Sequence, residues 1–188
     1  RPDWPDRDRL ILSKGHACPA LYAVMAHAGF FPREELMSLR KLGSPLQGHP
    51  DRLRLKGVEV STGSLGQGLS MGIGMALAAR LDKKDFRTYV ILGDGELQEG
   101  QCWEAFMSAP KFNLDNLTVI VDANNGQIDG PVKEIMDLDP LQDKLESFRW
   151  ETTTIDGHDL GQIESALEAA KKVRGRPQAI IARTVKGK

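Results

Sequence analysis

At 188 residues and 40% hydrophobic composition, the chain is long enough to bury one sizeable core and reads as a single domain over residues 1–188. Its 25 basic and 26 acidic side chains are interspersed and leave a formal net charge of −1, which provides neither a basic stripe for nucleic acid nor a cationic amphipathic helix for a membrane surface. No run approaches the roughly 18 apolar residues of a membrane-spanning helix, and Cys18 and Cys102 form neither a disulfide framework nor a CxxC clip, so a reducing, cytoplasmic setting is expected. The first residues, RPDWPDRDR, and the last, ARTVKGK, both look cut, and the domain is expected to be incomplete at each end.

In chain order, apolar spacings of three and four predict helices over 17–28 and 33–42, the second closing on Gly43 as a C-cap. An extended loop is expected over 47–62. A third helix, 67–81, is rich in alanine, methionine and glycine, and Gly72 and Gly74 are read as points of close approach to another element. The apolar run 88–92 is a strand followed by a helix over 97–112, and 117–121 is a second core strand. Residues 152–155 and 178–182 are two more strands. Between them lies a helix over 160–173 whose last turn holds Lys171, Lys172 and Arg174 before Gly175 and Pro177. Strands alternating with helices predict a doubly wound α/β domain with a mainly parallel sheet and helices on both faces, in which ligands bind beyond the carboxyl ends of the strands.

Two of those strand ends carry the chemistry. Strand 88–92 delivers Gly93-Asp94-Gly95, a turn that brings a carboxylate and helix-start amides to one point. Asp94 would repel an anion there, but a hard divalent cation between the carboxylate and a phosphate reconciles the two, making Asp94 a candidate metal ligand. A tight turn with an acidic cap would account for this tripeptide taken alone. Strand 117–121 then leads into Asp122-Ala123-Asn124-Asn125-Gly126, which adds an amide oxygen and a backbone carbonyl. One carboxylate, one amide oxygen and one carbonyl make an oxygen shell for magnesium or calcium, although an Asn-Gly turn explains Asn125-Gly126 by itself. Gly66, Gly68 and Gly72 imitate a dinucleotide fingerprint, but their GxGxxxG spacing and the lack of a preceding strand argue against a nicotinamide cofactor. Cys18 and Cys102 read as small packing residues.

Gly93 to Gly95 followed by Asn124-Asn125 resembles the thiamine diphosphate-binding motif, and its surroundings resemble transketolase. SKGHACPALYA (13–23), GHP (48–50), STGSLGQGLSMGIGMA (61–76) and GDGELQEGQCWEA (93–105) are similar to transketolase segments in the same order, so the likeness covers nearly the whole chain. It implies that Asp94 and Asn124 bind the metal through side chains and Gly126 through its carbonyl. It also implies that Gly95 meets the diphosphate by its amide, that Gly63 and Leu65 line the thiazolium and aminopyrimidine, and that His16 contacts diphosphate and substrate. His49 would hydrogen-bond the hydroxyls of the transferred two-carbon unit. Glu99, otherwise a solvated helix glutamate, would lie beneath the cofactor and couple the two sites of a dimer. The pattern that the resemblance implies often has proline where Ser64 stands, a departure that bears on the rigidity of this loop. His27 and His158 receive no role.

The resemblance implies ketol transfer between sugar phosphates, dependent on thiamine diphosphate and on Mg2+ or Ca2+. The pyrimidine-binding domain that completes such a site would come from a partner, either the remainder of a longer polypeptide or a separate carboxy-terminal subunit, in a homodimer or heterotetramer. The competing readings are a different thiamine diphosphate enzyme, such as a deoxyxylulose-phosphate synthase-like enzyme or a transketolase for an unusual ketose, and a non-catalytic regulatory module.

Overall fold

The computed structural model describes residues 3–188. Five strands form one parallel sheet in the order β1 (Arg9–Leu12), β2 (Thr88–Gly93), β3 (Leu117–Ala123), β7 (Gln178–Arg183) and β6 (Glu151–Asp156). Between β1 and β2 the chain passes through α1 (Cys18–His27) and α2 (Gln67–Leu81). Helix α3 (Gly100–Lys111) links β2 to β3. A two-residue antiparallel pair, β4 (Gly126–Gln127) with β5 (Gly130–Pro131), then precedes the short helices α4 (Val132–Ile135) and α5 (Leu141–Ser147), and α6 (Leu160–Ala170) joins β6 to β7.

Alternate side chains of the central strands serve opposite faces, which is why β3 and β7 read as unbroken apolar runs. Val119, Val121, Ala179 and Ile181 pack with Leu69, Ile73 and Ala76 of α2, Phe106 of α3 and Leu145 of α5. Ile180 and Ala182, with Ile120, pack on the other side with Ile155, Ala166, Ile163 and Leu167. Helices therefore cover both faces, as expected of a doubly wound domain. A third cluster, Cys18, Tyr22, Met25, Leu46 and Leu55, anchors the long loop before α2. Among the described residues, no helix is long and apolar enough to cross a membrane.

Four departures from the sequence reading have local causes. The expected helix over 33–42 is a 3-10 turn, Arg33–Ser38, none of whose residues is buried; Leu39 turns to extended backbone and Arg40 to φ 61°, so Gly43 caps no helix. The expected helix over 97–112 is interrupted: a 3-10 turn, Gly95–Gln98, ends at Glu99, whose ψ of 124° breaks the helix before α3 begins. Gly72 is a true close approach, since a Cβ there would lie 2.5 Å from Val90 Cγ2, but Gly74 faces open space. Finally, β1 and α5 were not predicted: β1 is a four-residue edge strand with only two buried positions, too short for a period to show.

Candidate functional site

The carboxyl ends of β1, β2 and β3 open into a cleft of about 760 Å3. Strand β2 ends at Gly93 and directs Asp94 into this cleft as the N-cap of the 3-10 turn. The Asp94 carboxylate is buried and accepts two backbone N–H groups, from Gly95 at 2.8 Å and Asn125 at 2.6 Å. Burial nevertheless holds its pKa above the usual carboxylate value, outweighing those two donors, and the nearby Asp122 adds to the rise. The chain's own groups therefore leave its ionised form undercompensated.

From β3 comes Asn124, whose Oδ1 accepts the Gly126 N–H at 2.8 Å while its Nδ2 donates to Asp122 at 3.0 Å. This fixes which end of the amide is oxygen. Asn125, at φ 57°, makes the left-handed turn that brings Gly126 back beside it, and a Cβ on Gly126 would sit 3.1 Å from Asn124 Oδ1. Asp94, Asn124 and Gly126 thus line one cleft with oxygen donors of three kinds, and no sulfur or imidazole lies among the three. That donor set, together with a buried carboxylate whose ionisation is opposed, fits a hard divalent cation. The site is not a cluster of histidine, cysteine and acidic side chains, and among the described residues no such cluster exists.

The other walls come from the segments before α1 and α2. His16 lies in the 3-10 turn Gly15–Ala17; partial burial first, then the charges of Lys14 and Lys186 and the proximity of His49, hold its pKa below 6.5. Its ring is neutral at pH 7 and can donate one hydrogen bond and accept another. His49 packs against Gly63, where a Cβ would come within 3.0 Å of the imidazole, and Gly63 adopts φ 145°. The loop that carries His49 is fixed from behind. The Tyr22 hydroxyl lies 2.9 Å from the Gln47 carbonyl oxygen and 3.2 Å from that of His49, and the Cys18 thiol donates to the Gly48 carbonyl at 3.1 Å. Cys18 is thereby a buried supporting group, and Cys102, fully buried with its pKa pushed up to about 12 by burial and by Glu96 and Glu99, is an inert packing thiol.

His16, His49, Gly63, Leu65, Asp94, Gly95, Asn124 and Gly126 all border the cleft. Glu99 does not: it is exposed at the start of α3, and a Cβ on Gly66 would stand 2.9 Å from its Cβ. The Gly95 amide is engaged, because it donates to Asp94 Oδ1. Several cleft residues received no role from the sequence. Lys14 forms an ion pair with Asp122, and Asp122 also accepts from Thr184 and Asn124; burial opposes ionisation of Asp122, but these donors prevail and hold its pKa low. His158 also borders the cleft, its Nε2 accepting the Val185 N–H at 2.8 Å. Lys14 and Asp122 fall within stretches singled out by sequence, two residues from His16 and from Asn124, but their pairing across 108 residues does not show there.

Comparison with known proteins identifies the family. The family model described as transketolase, thiamine diphosphate binding domain, matches residues 1–188. A 6-deoxy-6-sulfo-D-fructose transketolase subunit (SqwG) from Clostridium sp. (strain MSTE9) is 50% identical over 187 residues, covering 100% of this chain and 68% of that protein. One of the subunits of an apulose-4-phosphate transketolase from Phocaeicola vulgatus is 41% identical, covering 98% of this chain and 68% of the relative. The crystal structure of transketolase from Campylobacter jejuni superposes with a TM-score of 0.92 at 39% identity, over 98% of this chain but only 30% of that one. By sequence and fold alike, the chain belongs to the transketolase family, whose amino-terminal thiamine diphosphate-binding portion it represents.

Proposed function

We propose that this chain forms the diphosphate-binding half of an enzyme that moves a two-carbon glycolaldehyde unit from a ketose (phosphate) to an aldose (phosphate). The observation that carries this reading is the convergence, in one cleft, of the oxygen donors Asp94, Asn124 and Gly126 with His16 and His49. Asp94, Asn124 and the Gly126 carbonyl would hold Mg2+ or Ca2+, which would supply positive charge for the diphosphate. When bound, thiamine diphosphate supplies the carbanion stabilisation that lets a ketose carbon–carbon bond be broken and remade. The protein's own part is placement. His16, neutral at pH 7, orients the diphosphate and a substrate hydroxyl; His49, wedged against Gly63, hydrogen-bonds the hydroxyls of the transferred unit and assists proton movement.

The rest of the site comes from a partner. Two relatives are named as transketolase subunits and are themselves matched over 68% of their length, which supports a split enzyme whose second chain carries the pyrimidine-binding domain, assembled as a homodimer or heterotetramer. Glu99 would meet such a neighbour and couple two sites, a reading supported by its exposure beside the start of α2. The test is calorimetry of thiamine diphosphate binding to the chain with its partner, with and without magnesium. Binding that requires magnesium and disappears in Asp94→Ala is expected. A complete complex that binds no thiamine diphosphate, or an Asp94→Ala variant that binds it undiminished, would overturn the assignment.

A further inference from the structure

Glu96 is 2% exposed, and all its hydrogen-bond donors are neutral. Its Oε1 accepts the Gly66 N–H at 2.9 Å together with the hydroxyl of Ser13, and its Oε2 accepts the Gly93 N–H at 3.1 Å. Ser13, itself fully buried, passes the connection on by accepting the Gly68 N–H at 3.1 Å. Each tied group is a near neighbour of a cleft residue: Ser13 stands three positions before His16, Gly66 directly follows Leu65, and Gly93 directly precedes Asp94. These contacts span 83, 30 and 3 residues of chain, so one carboxylate joins three segments that nothing in the local sequence holds together.

We infer that Glu96 is a positioning residue, a buried clamp that sets the spacing between the histidine-bearing segment, the Gly63–Leu65 loop and the Asp94 turn. The inference rests on the functional reading above for what the clamp serves. Its chemistry stands by itself. Gly66 and Gly68 present N–H groups of the first turn of α2, which have no partner within the helix. Here they are met by Glu96 and Ser13 from other segments, and a negative charge is favourable at that end of a helix. Only a carboxylate offers acceptors on both of its heavy atoms, as two N–H groups arriving at opposite oxygens require. The fit leaves no slack: a Cβ on Gly68 would stand 2.4 Å from Ser13 Oγ. Misplacement of a cleft wall by about 1 Å is enough to cost on the order of 100-fold in rate.

Glu96→Gln tests the clamp, because it keeps the size of the side chain but turns one acceptor into an NH2, which then faces either the Gly66 or the Gly93 N–H. Hydrogen exchange, read by mass spectrometry on peptides covering 63–69 and 90–97 in the cofactor-free complex with its partner chain, should accelerate at least tenfold there while peptides from β3 and β7 are unchanged. In the same complex, magnesium-dependent affinity for thiamine diphosphate should fall at least tenfold. Unchanged exchange at both peptides overturns the clamp. Wild-type affinity despite faster exchange, or acceleration spread across the sheet, reduces Glu96 to a stability residue and overturns the positioning role. Should Glu96→Gln fail to fold, Ser13→Ala keeps the carboxylate and its two N–H donors but removes the hydroxyl that donates to Glu96 and accepts from Gly68: faster local exchange with weaker cofactor binding supports the clamp, and wild-type values of both overturn it. A wild-type complex that binds no thiamine diphosphate defeats the functional reading instead, and the exchange result then decides the clamp separately.

Discussion

Residues do their work here through groups far away in sequence, and His16 shows the consequence for pH. Its folded-state pKa lies below the 6.5 of a free histidine because partial desolvation, then the charges of Lys14 and Lys186, oppose the imidazolium of this otherwise exposed side chain. The unfolded chain therefore binds the proton more readily than the folded one, so the His16 contribution to stability is full above about pH 6.5 and is lost as pH falls from there to the folded-state value. Urea unfolding between pH 5 and 7.5 should show this loss, and His16→Asn should flatten the profile in that window. A profile identical in the two proteins, or a His16 NMR titration at or above 6.5, would contradict the assigned environment. Asp94, Asn124 and Gly126 were legible in the sequence because a glycine-flanked acid and an Asn-Asn-Gly turn each sit directly after an apolar strand. Glu96, Lys14, Asp122 and His158 were not, because what distinguishes them is their partners: Ser13 and Gly66 for Glu96, Asp122 for Lys14, Val185 for His158.

At the scale of elements, α2 contains a built-in comparison. Gly72 and Gly74 are two positions apart on one helix, yet a Cβ at Gly72 would meet Val90 Cγ2 at 2.5 Å and one at Gly74 would meet nothing within 4 Å. Gly72→Ala forces α2 off β2 and should destabilise by about 1–3 kcal/mol. Gly74→Ala relieves the entropy cost of a helical glycine and should stabilise by about 0.5–1 kcal/mol. Urea melts with unchanged slopes would read both, and equal effects of the two substitutions would refute the packing assigned to α2. Sequence treats the two glycines alike because the difference between them is the neighbouring strand. The same limit explains the uninterrupted helix expected over 97–112: its apolar period runs on through Glu99, whereas the break there follows from the 3-10 turn that aims Asp94 and buries Glu96. Strands β2, β3 and β7 were recovered to within a residue or two because a parallel strand buried on both faces writes its burial into consecutive positions. The edge strand β6, with one buried residue, was recovered through its β-branched run over 152–155.

The whole molecule presents a cleft that is furnished on one side. Asp94 and Asn124 are held by hydrogen bonds within the chain, but His16 and His49 are exposed, Glu99 faces outward beyond the cleft, and Ile128 stands 96% exposed at its rim on the turn between β4 and β5. A site meant to exclude water from a carbanion cannot operate with its substrate-facing histidines in solvent. On the proposed function a closing surface comes from further chain, and the portion this chain matches is 30% of the Campylobacter jejuni transketolase. The isolated chain should fold with its sheet intact and yet show no ketol transfer, and addition of the partner chain bearing the pyrimidine-binding domain should restore it along with magnesium-dependent cofactor affinity. On that proposal the cation and diphosphate contacts lie in this chain and the closing wall in the other, so Asp94→Ala should leave assembly with the partner, measured by light scattering, unchanged while abolishing turnover of the assembled enzyme. Turnover by the isolated chain at the rate of the assembled enzyme would show that the cleft closes by itself and that the division of the site between two chains is wrong.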